Sequence, residues 1–163
     1  MPQSPPITNE EPADAEAVDW LVDQAFGPGR YAKAAERLRE GNHPDLGLSV
    51  VAKQNGRLVG CARMWPVKIG QTPAILLGPF AVDETMRGKG LGQALAEAAC
   101  ARAKAAGHSV VVLVGDAPYF ERMGFVRAPA EVQLPGPVDK RRVLVLPLKD
   151  GATEGLSGMI ARA

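Results

Sequence analysis

"V-D-E-T-M-R-G-K-G-L-G-Q-A-L-A-E-A", residues 82–98, packs three glycines, Gly88, Gly90 and Gly92, into five positions at the mouth of an alanine-rich helix. Arg87 and Lys89 alternate with them. Glycine this dense raises the entropy cost of ordering the backbone. At a helix start that cost has a use. The first N–H groups there have no intrahelical partner, and the helix dipole adds partial positive charge. Without Cβ atoms in the way, such groups can converge on phosphate oxygens. The two cations strengthen that reading. A plain tight turn would need one glycine, not three interleaved with basic residues.

Working outward, "A-I-L-L-G-P-F-A-V" (74–82) reads as the strand that feeds the loop. Gly78-Pro79 inside it predicts a bulge, because proline donates nothing to a sheet ladder; an edge strand is the other reading. The helix beyond the glycines runs to about Ala106, with Arg102 and Lys104 in its last turn and Gly107 as a stop. "S-V-V-V-L-V-G" (109–115) has the continuous apolar run of a strand covered on both faces. "P-Y-F-E-R-M-G-F" (118–125) reads as a short helix stopped by Gly124, and strands follow near 125–132 and 142–148. A short helix is expected in the tail, 151–163.

Upstream, apolar residues at Ala17/Val18, Leu21/Val22 and Ala25/Phe26 recur at helical spacing and stop at Gly27-Pro28-Gly29. A second helix is expected over Tyr31 to Glu40. "L-S-V-V-A-K" (48–53) and "R-L-V-G-C-A-R-M-W-P-V" (57–67) flank Asn55-Gly56, a strong hairpin signal. The order predicts an α/β (α+β) fold: one domain, residues 1–163, with a mixed, mostly antiparallel sheet and helices on both faces.

Composition narrows the function. A net charge of +1, from 19 Lys+Arg against 18 Asp+Glu, argues against a bulk electrostatic grip on nucleic acid. No apolar run approaches the roughly 18–20 residues that span a bilayer. The stretch Met1 to Pro6 lacks the charged start and apolar core of a secretory signal. Cys61 and Cys100 fall in different elements with no metal-like spacing. These features read as a cytoplasmic protein with two reduced thiols, no metal and no membrane partner.

The loop's spacing selects among phosphate binders. No G-x-x-x-x-G-K-[ST] occurs, and G-x-G-x-x-G fails because Gln93 and Leu95 stand where a final glycine would be needed. R-x-x-G-x-G is met by Arg87, Gly90 and Gly92. With "L-L-G-P-F-A-V-D" before it and "V-L-V-G-D-A-P-Y-F-E-R-M-G-F" after the helix, the stretch resembles the pyrophosphate loop of the GNAT superfamily, acyl-coenzyme A-dependent N-acyltransferases. The similarity is greatest to a bacterial branch with a G-D-x-x-Y-Y-x-R-x-G-F signature, and covers nearly the whole chain.

The resemblance implies acetyl-CoA as co-substrate and a small-molecule or peptide amine as acceptor, attacked directly in a ternary complex; dimers are frequent among relatives. It implies that the bulge residues Phe80, Ala81 and Val82 hold the pantetheine arm, with the Ala81 N–H as oxyanion donor. It places the pyrophosphate on Arg87, Gly88, Lys89, Gly90, Leu91 and Gly92, with Gln93 close by. The family's tyrosine acid falls on Phe120, which has no proton to give. Phe120 then reads as packing near the thiol arm. Tyr119 is the candidate acid or a packed ring, since helical neighbours point about 100° apart. Asp116 lies near the expected cleft and also reads as a helix cap. Arg63 and Trp65, alternating on one strand face, are candidates for the acceptor pocket; Trp65 reads equally well as buried packing. The loss at Phe120 leaves a non-catalytic CoA-binding sensor or regulatory protein as the alternative.

Overall fold

The computed structural model describes residues 4–163. Its elements, in chain order, are β1 (Ile7–Asn9), α1 (Ala15–Phe26), β2 (Val50–Gln54), β3 (Arg57–Ile69), β4 (Thr72–Val82), α2 (Leu91–Ala105), β5 (Val110–Val114), α3 (Ala117–Glu121), β6 (Val126–Arg127), β7 (Val132–Gln133), β8 (Val143–Pro147) and β9 (Gly158–Arg162). The sheet runs β1-β2-β3-β4-β5-β8-β6, with β9 pairing β3 and β7. Neighbours are antiparallel except β4–β5 and β7–β9. This is the mixed α+β sheet that the sequence predicts, with Asn55 and Gly56 at positive φ in the β2–β3 turn.

Helices cover both faces. On one, Leu91, Leu95 and Ala99 of α2 pack on Ala62, Met64, Val111 and Leu113. The alanine stripe brings the helix close to the sheet. Gly60 lies so directly beneath Leu95 that a Cβ there would stand 2.6 Å from its Cδ1. On the other face, Val18, Leu21 and Val22 of α1 meet Val51, Cys61 and Ala81. Ala34, Ala35 and Leu38 cover Trp65, Val67, Leu76 and Val112. Val111 and Leu113 thus face α2 while Val110 and Val112 face the opposite layer, which explains the unbroken apolar run of β5.

Three expectations are corrected. The segment over Tyr31 to Glu40 forms two short 3-10 turns, Pro28–Ala32 and Ala34–Leu38, because Lys33 between them is extended (φ −74°, ψ 145°). The tail forms β9, pairing Ile160 with Ile69, rather than a helix. The strand expected over 125–132 is interrupted: β6 ends at Arg127, and Pro129 stands in the gap before β7.

The site is set by two irregularities. β4 bulges where Ala62 pairs Phe80 and Met64 pairs Leu77, leaving Gly78 and the cis-linked Pro79 opposite Arg63. β4 and β5 pair only at Ile75–Val111 and Leu76–Val112. Past that point the two strands part, and a wedge opens between them.

Candidate active site

The three glycines serve two different needs. Gly88 and Gly90 have φ of +77° and +81°, left-handed values that side chains resist. Gly90 is the N-cap of α2. Gly92 has an ordinary backbone but no room: a Cβ there would lie 2.7 Å from the Tyr119 hydroxyl and 3.1 Å from Phe80 Cζ. Among the described residues no acceptor takes the N–H groups of Gly88 through Gln93; the first bond of the helix is Ala94 N–H to Gly90 O, 3.1 Å. The loop therefore presents a run of unpaired donors at the positive end of a 15-residue helix. Asp83 stiffens the approach, accepting from the Thr85 N–H and hydroxyl at 2.9 and 2.7 Å, and these bonds hold its carboxyl below the usual carboxylate range.

A cleft of about 530 Å³ lies against this loop. Phe80, Ala81, Val82, Arg87, Gly88, Gly90, Leu91, Gly92 and Gln93 line it, together with Tyr119. Of the residues the resemblance assigns to the cofactor, Lys89 and Phe120 fall outside this lining. Phe26, at the end of α1, and Arg122 also belong to it; Arg122 stands at the arginine of the G-D-x-x-Y-Y-x-R-x-G-F signature, while nothing near Phe26 in the chain signals the loop.

A second cleft, about 420 Å³, opens beside the wedge. Phe80 and Phe26 line both clefts. Phe120 closes the second one from below, 7% exposed, its ring 5.9 Å from Phe80 and 5.7 Å from Phe125. Gly115 must be bare for this ring to fit, since a Cβ would stand 2.8 Å from it. Tyr119 and Phe120, with ring centroids 4.9 Å apart, thus face different clefts, as their helical positions require. Burial raises the Tyr119 phenol above its ordinary value against the pull of Arg122, with Glu97 adding to the rise.

The ladder decides which amides of β4 are available. Asp83 N–H bonds Val59 O at 2.8 Å. Hydrogen-bonded and non-bonded pairs alternate along an antiparallel ladder, and Gly60–Val82 and Cys61–Ala81 continue the same register. Cys61–Ala81 is therefore the next bonded pair, and the Ala81 N–H turns toward β3. This corrects the expectation of Ala81 as oxyanion donor. The N–H groups of Phe80 and Val82 point to the opposite edge, where β4 has no strand beyond Leu76.

Arg63 differs from the pocket expectation, and Trp65 takes its buried-packing alternative. Neither lines a cleft. They do share a face of β3, but Arg63 is buried under α1 and held by Glu10 (2.9–3.2 Å) and Asp19 (3.1 Å). Trp65 donates from its indole to Gly78 O, the same carbonyl that accepts from Arg39 Nε at 3.3 Å. Trp65 and Arg39 together hold the bulge through this one carbonyl. Arg39 itself reaches the second cleft; burial draws its pKa down, opposed by its bond to Glu36 at 2.9 Å.

Asp116 stands at the N-cap position of α3 without making the cap bond, so its carboxylate is free at the rim of the second cleft. Both cysteines are buried, and burial pushes each thiol up to about 12. Among the described residues no three His, Cys, Asp or Glu side chains group as metal ligands, and no helix is long and apolar enough to cross a membrane.

Comparison with known proteins identifies the family and the fold. Residues 15–125 match the family model for the acetyltransferase (GNAT) family. The chain is 31% identical over 157 residues to the "Uncharacterized N-acetyltransferase YhbS" of Escherichia coli (strain K12), covering 94% of this chain and 93% of the relative. The crystal structure of YhbS from Escherichia coli in complex with CoA superposes with a TM-score of 0.83 at 28% identity, covering 100% of this chain and 92% of that one. A GNAT family acetyltransferase from Brucella melitensis, in complex with acetyl-CoA, shares the fold with a TM-score of 0.69 at 24% identity over 97% and 95% of the two chains. With its loop, its parted strands and a family match over more than half its length, the chain belongs to the GNAT family of acetyltransferases.

Proposed function

We propose that the chain moves an acetyl group from acetyl-CoA to a primary amine by direct attack in a ternary complex. The observation that carries this reading is the run of unpaired N–H groups from Gly88 to Gln93 beside the unpaired edge of β4. The loop amides, with Arg87 and Lys89, hold the pyrophosphate. The pantetheine arm runs along β4 on the outward amides of Phe80 and Val82, completing the sheet edge in the manner of an added strand. The thioester carbonyl then meets the Phe80 N–H, which stabilises the oxyanion as it forms.

The amine arrives from the second cleft. Its neutral nitrogen forms a bond to the carbonyl carbon, the carbon–sulfur bond breaks, and the sulfur leaves with the electron pair. The amine loses a proton to water or to Asp116. Tyr119, which lines the cofactor cleft, returns a proton to the sulfur. A ping-pong route through a cysteine has no support, because both thiols are buried and protonated at neutral pH. Release of CoA thiol from acetyl-CoA, dependent on an added amine and with intersecting double-reciprocal lines, tests this mechanism. Thiol release without amine, or parallel lines, contradicts it.

A further inference from the structure

The second cleft carries charge that acyl transfer alone does not require. Arg30, Lys33, Arg39 and Arg142 line it, against Asp116 and Asp139. Most of these groups are already matched. Arg30 holds Asp23 at 2.8 Å, Arg39 holds Glu36 at 2.9 Å, and Asp139 accepts from Arg141 at 2.9 Å. Lys33 and Arg142 make no ion pair among the described residues, and neither does Asp116. Two unmatched cations and one unmatched carboxylate therefore face one cleft.

Their placement is not arbitrary. Arg142 Nε donates to Gly115 O at 3.3 Å, while the Arg142 carbonyl accepts the Gly115 N–H at 2.9 Å. The guanidinium is thereby anchored one residue from Asp116, yet the two charges form no pair. Arg39 uses Nη1 on Glu36 and Nε on Gly78 O, which leaves Nη2. No buried side-chain nitrogen or oxygen among the described residues lacks a partner. Nη2 is therefore accessible, and it lies 3.0 Å from where a Cβ of Gly78 would sit, at the bulge itself.

We propose that the acceptor is a small zwitterionic amine, one that carries a carboxylate near its amino group. The inference rests on the acyl-transfer reading above and specifies its acceptor. Arg142, Lys33 and Arg39 Nη2 bind the carboxylate, since a guanidinium suits planar two-point recognition of that group. Asp116 draws the ammonium group toward the wedge; the ammonium first gives one proton to solvent, which frees the lone pair, and Asp116 takes up the second proton as the N–C bond forms and the C–S bond breaks. A cleft of about 420 Å³ holds a molecule of amino-acid size. Polyamines and aminoglycosides would bring several positive charges against unmatched cations, so the same arrangement selects against them.

The test is a set of matched acceptors with acetyl-CoA at mildly alkaline pH: several free amino acids, their carboxamides, the corresponding decarboxylated amines, and spermidine. Acetyl-CoA affinity is measured by calorimetry on the same samples. At least one amino acid is expected to exceed its amide and its decarboxylated amine by about tenfold or more in kcat/KM, in line with charge-assisted bonds to the carboxylate. The double variant Arg142→Gln/Lys33→Gln should bring that ratio toward one while retaining acetyl-CoA affinity. If acetyl-CoA binds but the amides or spermidine react as fast, or no amino acid reacts, the acceptor inference is overturned and the reading of the loop stands. If acetyl-CoA does not bind, both fall.

Discussion

The phenolic oxygen of Tyr119 lies over the Cα of Gly92, so close that a methyl group at residue 92 would stand 2.7 Å from it. This contact ties α3 to the first turn of α2, and with it the end of β5 to the anion-binding loop. Gly92 and Tyr119 are one packing unit.

Gly92→Ala should therefore weaken CoA binding by about tenfold or more even though alanine favours helix by up to ~1 kcal/mol. The new methyl meets Phe80 Cζ at 3.1 Å as well as the Tyr119 hydroxyl, so the ring lining the arm's path must shift. Adding Tyr119→Phe should restore part of the affinity by removing the nearer contact. Titration calorimetry on the three variants checks this; an alanine variant that binds as wild type would show that the loop has slack.

The loop and the strands around it were legible because their signals are local. Glycine spacing, the Asn-Gly turn and the apolar run of β5 each lie within a few residues of what they build. The bulge was readable from Gly78-Pro79, but the direction of its amides was not. Direction alternates residue by residue and is set by pairing with β3, so the free donors fall on Phe80 and Val82 rather than Ala81. Arg63 illustrates the same limit. Alternation gave its face correctly, yet Glu10, 53 residues away, occupies the guanidinium. Arg39 and Arg142 meet at one cleft only because the topology brings the 3-10 turns over the wedge beside β8. No spacing in the chain records that.

Tyr119→Phe should lower kcat by about tenfold or more with little change in KM for acetyl-CoA, if the phenol returns the proton to sulfur. The raised phenol pKa keeps the acid protonated through neutral and mildly alkaline pH. The wild-type rate should thus fall on this account only as pH rises past the ordinary phenol value near ~10. Unchanged kcat in the variant assigns the protonation to water.

Glu10→Ala should destabilise the fold by up to about 3–5 kcal/mol, because it leaves the buried guanidinium of Arg63 with only the exposed Asp19 as partner. Asp19, on the same guanidinium but 56% exposed, should cost under about 1 kcal/mol when replaced by alanine. Denaturant unfolding of the two variants separates them. Equal losses would mean that the Glu10–Arg63 pair contributes no more than a surface contact.

The role of the Gly88–Gln93 amides as a pyrophosphate clasp is tested most directly by titrating the folded protein with CoA and then with dephosphorylated pantetheine. CoA is expected to bind saturably, pantetheine far more weakly, and Gly90→Glu to abolish CoA binding by placing bulk and negative charge where the phosphates sit. Equal affinity for CoA and pantetheine, or undiminished CoA binding by Gly90→Glu, would contradict it.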